Sequence, residues 1–267
     1  MFRAQPRTEL SKFINAYKSA SSRLLKKEYP EIRKKHREPA EGLRLRSVTV
    51  SMEPSGKYFA SLLFCCENQT VEKRPAEKFL GIDFAMHGLC VFSTGERAGY
   101  PMFYRSAEKK LAREQRKLSR CEKGSRNYQK QRKRVALCHE RIKNQRKDFH
   151  HKLSHDLAEK YDAVCVEDLN LKGIAGGLHF GKGIQDNGYG QFLSMLGYKL
   201  EERGKYLVKV DRYFASSKIC SVCGNRKKEL ALSERTYICE CGNRMDRDVN
   251  AAVKILKEGK KIYKKCA

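Results

Sequence analysis

Acidic residues are scarce in this chain: 31 Asp and Glu stand against 57 Lys and Arg in 267 residues, a formal net charge of +26. Solvation alone needs no such excess, whereas a polyanionic partner does. No apolar run approaches the ~20 residues of a membrane span and no compact amphipathic anchor stands out, so a membrane partner is not expected. Met1-Phe-Arg-Ala-Gln-Pro-Arg7 has no apolar centre, and no signal peptide is expected. A secreted disulfide framework is also missing. Eleven cysteines is an odd count in a large chain; Cys65, Cys66, Cys90 and Cys165 sit in apolar, strand-like contexts, Cys121 and Cys138 in a charged helical region, and Cys266 is next to last. A reducing cytoplasm fits best. His151 and His155 lie one helical turn apart without the intervening glutamate of a metalloprotease motif, and read as solvated helical histidines. His87, His139 and His150 carry no motif. There is no internal repeat, and no serine or tyrosine nucleophile stands in a recombinase-like motif.

The positive charge is concentrated. Residues 105–152 hold 18 Lys and Arg against 5 acids, and residues 1–46 hold 13 against 5. Such a surplus reads as an electrostatic footprint rather than a solvated face. Near the C-terminus, Cys220-Ser-Val-Cys223 and Cys239-Glu-Cys241 are separated by 15 residues, each pair followed by glycine (Gly224, Gly242). That spacing is a zinc ribbon's, although the second pair has one intervening residue where two are usual.

The length suits one sizeable core plus a small satellite module. Residues 9–28 are predicted helical, ended by Tyr29-Pro30. Leu43–Met52 and Lys57–Cys66 flank Glu53-Pro-Ser-Gly56, a hairpin signal, and Glu67–Glu77 reads as a linker. Lys78–Asp83, Gly88–Ser93 and Ala98–Tyr104 are expected as a three-stranded meander. Helices follow on both sides of Gly124-Ser125, with Val135, Cys138, Ile142, Phe149, Leu153 and Leu157 on one packing face. Tyr161–Glu167 and Tyr206–Asp211 are predicted strands, Gln191–Arg203 a helix, Leu171–Gly190 a mobile glycine-rich stretch, and Asp248 to Lys257 a final helix. This order gives an α/β fold with a mixed sheet.

Three acids take similar places: Asp83 and Glu167 at strand ends, and Asp248 at the start of the last helix. Converging carboxylates repel unless a multivalent cation neutralises them, and Mg²⁺ prefers oxygen ligands. Spacing alone does not choose between Glu167 and Asp168, or between Asp246 and Asp248.

Gly81-Ile-Asp83, Val166-Glu-Asp-Leu-Asn170, Ser216-Ser-Lys-Ile-Cys-Ser-Val-Cys-Gly224 and Cys241-Gly-Asn-Arg-Met-Asp-Arg-Asp-Val-Asn-Ala-Ala252 occur in one order. With Gln115–Arg120, Asn144–Phe149 and Gly197-Tyr-Lys199, they resemble the TnpB (OrfB) proteins of insertion sequences, relatives of type V CRISPR effector nucleases, over roughly residues 43–257. The resemblance implies a RuvC-like RNase H fold over 78–267, with a helical arm (105–160) and a zinc ribbon (212–245) inserted. A partial wedge-like β-barrel and linker (43–77) and a residual helical recognition segment (1–42) would precede it. It assigns catalysis and Mg²⁺ to Asp83, Glu167 and Asp248, and structural Zn²⁺ to Cys220, Cys223, Cys239 and Cys241. Family members begin with a longer recognition lobe, so a miniature or shortened member is expected.

The implied activity is an endonuclease that hydrolyses DNA with two Mg²⁺ ions, guided by a transposon-end RNA that pairs with the target DNA. Arg113, Arg116, Lys117, Arg120, Arg132, Lys133, Arg134 and Lys147 are the expected phosphate contacts of the arm. The expected location is the nucleoid-associated cytoplasm of a bacterial or archaeal host. The alternative is a transposon-derived protein that binds nucleic acid without guided cleavage.

Overall fold

A computed structural model describes residues 44–65, 71–86, 88–177, 181–231 and 234–266. The predicted helix over 9–28, and with it the recognition segment, lies outside them, as does His87.

Two compact units are present. The first holds strands β1 (Arg44–Met52) and β2 (Tyr58–Cys65), an antiparallel pair as the Pro-Ser-Gly signal predicts. Gly56 takes φ +88° in the turn between them, which a side chain would strain. Tyr58, Phe59, Leu62 and Leu63 are all exposed, so β2 presents apolar surface on both faces.

The second unit is built on a four-stranded sheet in the order β4-β3-β5-β6. Its strands are β3 (Phe79–Ala85), β4 (Leu89–Phe92), β5 (Ala163–Glu167) and β6 (Tyr206–Val210). β3, β5 and β6 are parallel, and β4 runs antiparallel at one edge. Strands covered on both faces read as continuous apolar runs, which is why Leu-Gly-Ile and Ala-Val-Cys-Val stood out in sequence. The expected third strand over Ala98–Tyr104 does not form. Only Arg97 bridges back, to Val91, and Gly99 (φ +66°), Pro101 and Met102 (φ +52°) turn the chain out of extension and into a helix.

That helix, α1 (Phe103–Ser119), pairs with α2 (Arg126–Lys160), about 52 Å long at 1.5 Å per residue. Gly124 (φ +89°) makes the turn, and Ser125 Oγ caps α2 by accepting from the Tyr128 N–H at 3.1 Å. The cap of α1 comes from elsewhere in the chain: Asp186 accepts from the N–H groups of Tyr104 (2.9 Å) and Arg105 (3.2 Å). The glycine-rich stretch contributes α3 (Leu171–Gly177) and α4 (Gly181–Asn187); α5 (Tyr189–Glu201) and α6 (Arg247–Cys266) complete the helices. The short strands β7 (Thr236–Ile238) and β8 (Arg244–Asp246) pair antiparallel just ahead of α6.

Side chains alternate across the sheet. Leu80, Ile82, Val164 and Val166 face a core shared with Leu157 and Ala158 of α2 and Phe192, Leu196 and Leu200 of α5. Phe79, Cys165, Val208 and Val210 face α6, through Ile255, Leu256 and Tyr263. The first core fixes the base of the basic arm to the sheet. The second decides where the N-terminus of α6 arrives.

Candidate active site and metal centre

Two glycines let α6 lie close on the sheet. A Cβ on Gly81 would stand 2.2 Å from the Ala252 carbonyl oxygen, and one on Gly259 would stand 2.3 Å from Cys165 Sγ. Asp83 is two residues beyond Gly81 on the same face of β3. Glu167 is two beyond Cys165 on the same face of β5. Asp248 is one helical turn before Ala252 on α6. The contacts that seat the helix therefore direct three acids, 84 and 81 residues apart in sequence, to one end of the sheet.

Asp83, Glu167 and Asp248 line one cavity of about 720 Å³, together with Asp246, Arg97, Arg212, Arg235, Arg247 and Ser216. The Asp83 carboxyl is held well above the usual carboxylate range. Loss of water is the main cause, followed by the charges of Glu167 and Asp248, opposed by Arg247, with a smaller push from Asp246. Burial also raises Glu167, and the Ser216 hydroxyl, which donates to its Oε1, partly offsets the shift.

The geometry separates the acid pairs that spacing leaves open. Asp168 turns to Arg212 (2.9 Å) and Lys209 (3.7 Å) and does not line the cavity. Asp246 lines it but is committed to α6: its Oδ1 accepts from the Asp248 N–H at 2.9 Å and the Val249 N–H at 3.1 Å, capping the helix. Asp248 occupies the first turn, where the helix dipole favours an anion.

The four cysteines converge. Their sulfurs all lie within 4.8 Å of one another, with Cys220 and Cys241 at 3.7 Å and Cys223 and Cys239 at 3.6 Å. Tetrahedral zinc with ~2.3 Å bonds needs sulfurs roughly 3.8 Å apart, so the donor set fits zinc. The shortened second knuckle closes as the first does. Cys220 N–H donates to Asn225 O and Cys239 N–H to Asn243 O, with Gly224 at φ +81° and Gly242 at φ +86°. One residue fewer is absorbed by one residue less of turn. Burial raises the Cys220 thiol, but the N–H groups of Cys223 and Val222 and the Asn243 amide outweigh it and bring it to about 6. On Cys239 the Cys241 N–H acts downward, yet burial and the neighbouring thiols push it up to about 12. Four touching thiols cannot all ionise without a cation between them.

The ribbon is tied to the acid cavity by side-chain contacts. Ser216, four residues before Cys220, reaches Glu167. Asn250, fully buried, accepts from the Ser221 N–H and donates to the Ile219 carbonyl, both at 2.8 Å, and so clamps the first turn of α6 to the first knuckle. The sequence reading gave neither residue a role, nor Arg97. Ser216 and Asn250 stand inside the TnpB-like motifs, which could have signalled them; Arg97 stands in none.

All eight residues expected to contact phosphate are exposed: Arg113, Arg116 and Lys117 on α1, Arg120 at its C-terminal cap, and Arg132, Lys133, Arg134 and Lys147 on α2. Glu114, buried between the helices, accepts from Gln131 and pairs with Lys117 at 3.0 Å, tying the hairpin together. None of the eight lines the acid cavity.

Comparison with known proteins divides the chain into three segments. Residues 63–176 match the OrfB_IS605 family, described as probable transposase; residues 189–255 match the Cas12f1-like TNB domain; residues 1–41 match a different family, the IS200-like transposases. A Streptomyces pristinaespiralis protein named "Putative RNA-guided DNA endonuclease" is 40% identical over 219 residues, 82% of this chain and 54% of that protein. Escherichia coli K12 has one, "Putative RNA-guided DNA endonuclease InsQ", 30% identical over 231 residues, 80% of this chain and 57% of its own. The chain thus spans about half the length of these relatives. Among solved structures, a Cas12f1-sgRNA-target DNA complex superposes with a TM-score of 0.53 at 18% identity, over 80% of this chain and 45% of the other. At that identity the likeness concerns the fold alone.

Proposed function

With residues 63–176 belonging to the OrfB_IS605 family and residues 189–255 to the Cas12f1-like TNB domain, we propose that this chain is a Mg²⁺-dependent, RNA-guided DNA endonuclease with an RNase H-like, RuvC-type core. The observation that carries this reading is the shared cavity of Asp83, Glu167 and Asp248, with the Asp83 carboxyl raised by burial first and by its acidic neighbours second. A carboxylate kept from water beside two others is a poor structural element and a good divalent-ion ligand.

In this reading Asp83, Glu167 and Asp248 hold the ions, Ser216 orients Glu167, and Asp246 fixes the helix end that carries Asp248. Two bound Mg²⁺ ions would supply the charge that activates water and stabilises the departing oxygen of the phosphodiester. The four cysteines hold structural zinc that keeps the ribbon folded beside the cavity. The cationic faces of α1 and α2 grip backbone phosphates of the guide RNA and target DNA, which is a matter of charge and not of sequence. No described helix is long and apolar enough to cross a membrane, and we place the protein with the nucleoid of a bacterial or archaeal host.

One observation favours a second reading, a transposon-derived protein that binds nucleic acid without guided cleavage. The segment ahead of the hairpin, residues 1–41, matches a different family, the IS200-like transposases. Cleavage of labelled DNA with Mg²⁺ and copurifying RNA separates the two. The nuclease reading expects cutting that EDTA abolishes and that Asp83→Ala reduces by about a thousandfold or more. Equal behaviour of wild type and variant would leave the binding reading.

A further inference from the structure

Arg97 follows the β4 turn and is held there by its bridge to Val91. Its guanidinium reaches two acids some 150 residues away: Nη2 is 2.8 Å from Asp246 Oδ2, and Nη1 is 3.7 Å from Asp248 Oδ2. The two contacts differ in kind. Asp246 is immobilised through its other oxygen, which caps α6, so the short contact is an anchor. The contact to Asp248 is long and the weaker of the two. Both acids and Arg97 line the cavity that also holds Asp83 and Glu167.

A pair between half-exposed partners contributes little to folding. Its location gives it another use. Carboxylates gathered without a cation repel one another, and a guanidinium leaning on Asp248 relieves part of that repulsion. A divalent ion brings twice the charge to the same oxygens and needs them free. Arg97 can yield Asp248 without leaving, because Asp246 retains it. The guanidinium has five N–H donors in a planar fork, more than Asp246 can use, and the shape suits a phosphate oxygen.

We propose that Arg97 is a displaceable counter-ion of the acid cavity: it covers Asp248 when divalent ions are absent, and once they bind it stays tethered to Asp246 and donates to a phosphate oxygen of the nucleic-acid substrate. The second half of the statement rests on the nuclease reading; the first half does not. It also gives Asp246 and Asp248 separate roles, one as tether and cap, the other as ion ligand.

The two halves predict effects of opposite sign, which a merely structural role would not produce. In the full chain without nucleic acid, Mn²⁺ titration followed by electron paramagnetic resonance should show Arg97→Ala binding about two- to fivefold more tightly than wild type, since a competitor is gone. At saturating Mn²⁺, single-turnover cutting of a labelled DNA oligonucleotide complementary to the copurifying RNA, with that RNA bound, should be about tenfold or more slower in the same variant. Arg97→Lys keeps the charge and loses the fork, so it should bind Mn²⁺ near the wild-type level and cut at an intermediate rate. Unchanged or weaker Mn²⁺ binding in Arg97→Ala overturns the counter-ion role. An unchanged rate at saturating metal overturns the phosphate contact. A wild type that cuts nothing, while Arg97→Ala still gains Mn²⁺ affinity, would sink the nuclease reading and keep the counter-ion.

Discussion

The two candidate metal sites of this chain are built in opposite ways. The four thiols come from two knuckles 15 residues apart, and their sulfurs already sit within one ion's coordination sphere. The three acids come from β3, β5 and α6 and line a cavity of about 720 Å³. Local turns assemble the first; tertiary packing of a helix on a sheet assembles the second. A closed site suits an ion that never leaves, and an open one suits ions that must share their coordination with water and a phosphate. Softness follows the same division, sulfur for zinc and oxygen for magnesium.

Removing zinc should have the largest effect, because the two sites are joined through Ser216 and Asn250. Structural zinc carries on the order of 10 kcal/mol of apparent binding energy in small modules. Cys220→Ser, or chelation, should expose residues 212–245 to limited proteolysis and slow DNA cutting at least tenfold, while the four-stranded sheet keeps its hydrogen-exchange protection. Full cutting by a zinc-free protein would show that the cavity does not feel the ribbon.

Asp83 sharpens the contrast with a smaller effect and a defined sign. Its carboxyl binds a proton more tightly in the folded than in the unfolded chain. Its contribution to stability is complete below the ordinary value of 3.8 and is lost as pH rises through the raised folded value. Other acids, such as Asp162 and Asp168, are lowered and act in the opposite direction, so the informative quantity is a difference between variants. Metal-free wild type should lose melting temperature relative to Asp83→Asn as pH climbs from about 4 toward neutrality. Mg²⁺ should then raise the melting temperature of wild type and leave Asp83→Asn nearly unmoved. Parallel curves for the two proteins would mean that neither burial nor the acidic neighbours raise the Asp83 carboxyl in the folded chain.

How much of this could be read from sequence follows the same division between local and distant. The knuckles were legible because their geometry is set within a few residues, and the positive-φ glycines after each pair mark it. The sheet was legible because strands covered on both faces, such as Ala163–Glu167, are continuous apolar runs. Ala98–Tyr104 misled for the same reason: its composition is that of a strand, and only the turn geometry at Gly99 and Met102 sends it into α1. That Glu167 and not Asp168 lines the cavity depends on which face of β5 meets α6, and spacing does not carry that register. Arg97 left no trace, since it acts through two acids that folding brings to it.

The basic arm marks the weak end of the scale, and its predicted response is graded. The eight cations expected to meet phosphate are exposed along the two helices and at the C-terminal end of α1, and none lines the acid cavity. Counter-ion release makes each phosphate contact count about equally, with log affinity falling by roughly 0.9 per contact against log salt on duplex DNA. Arg134→Ala should therefore weaken DNA binding only a few-fold and flatten the salt slope by about one, whatever the DNA sequence. Cutting at saturating DNA should stay near wild type, because the acids are untouched. Fluorescence anisotropy across a salt series reads the slope. If Arg134→Ala instead abolished cutting while the slope stayed the same, the arm would belong to the chemistry and not to the grip, and the separation of holding from hydrolysis would fail.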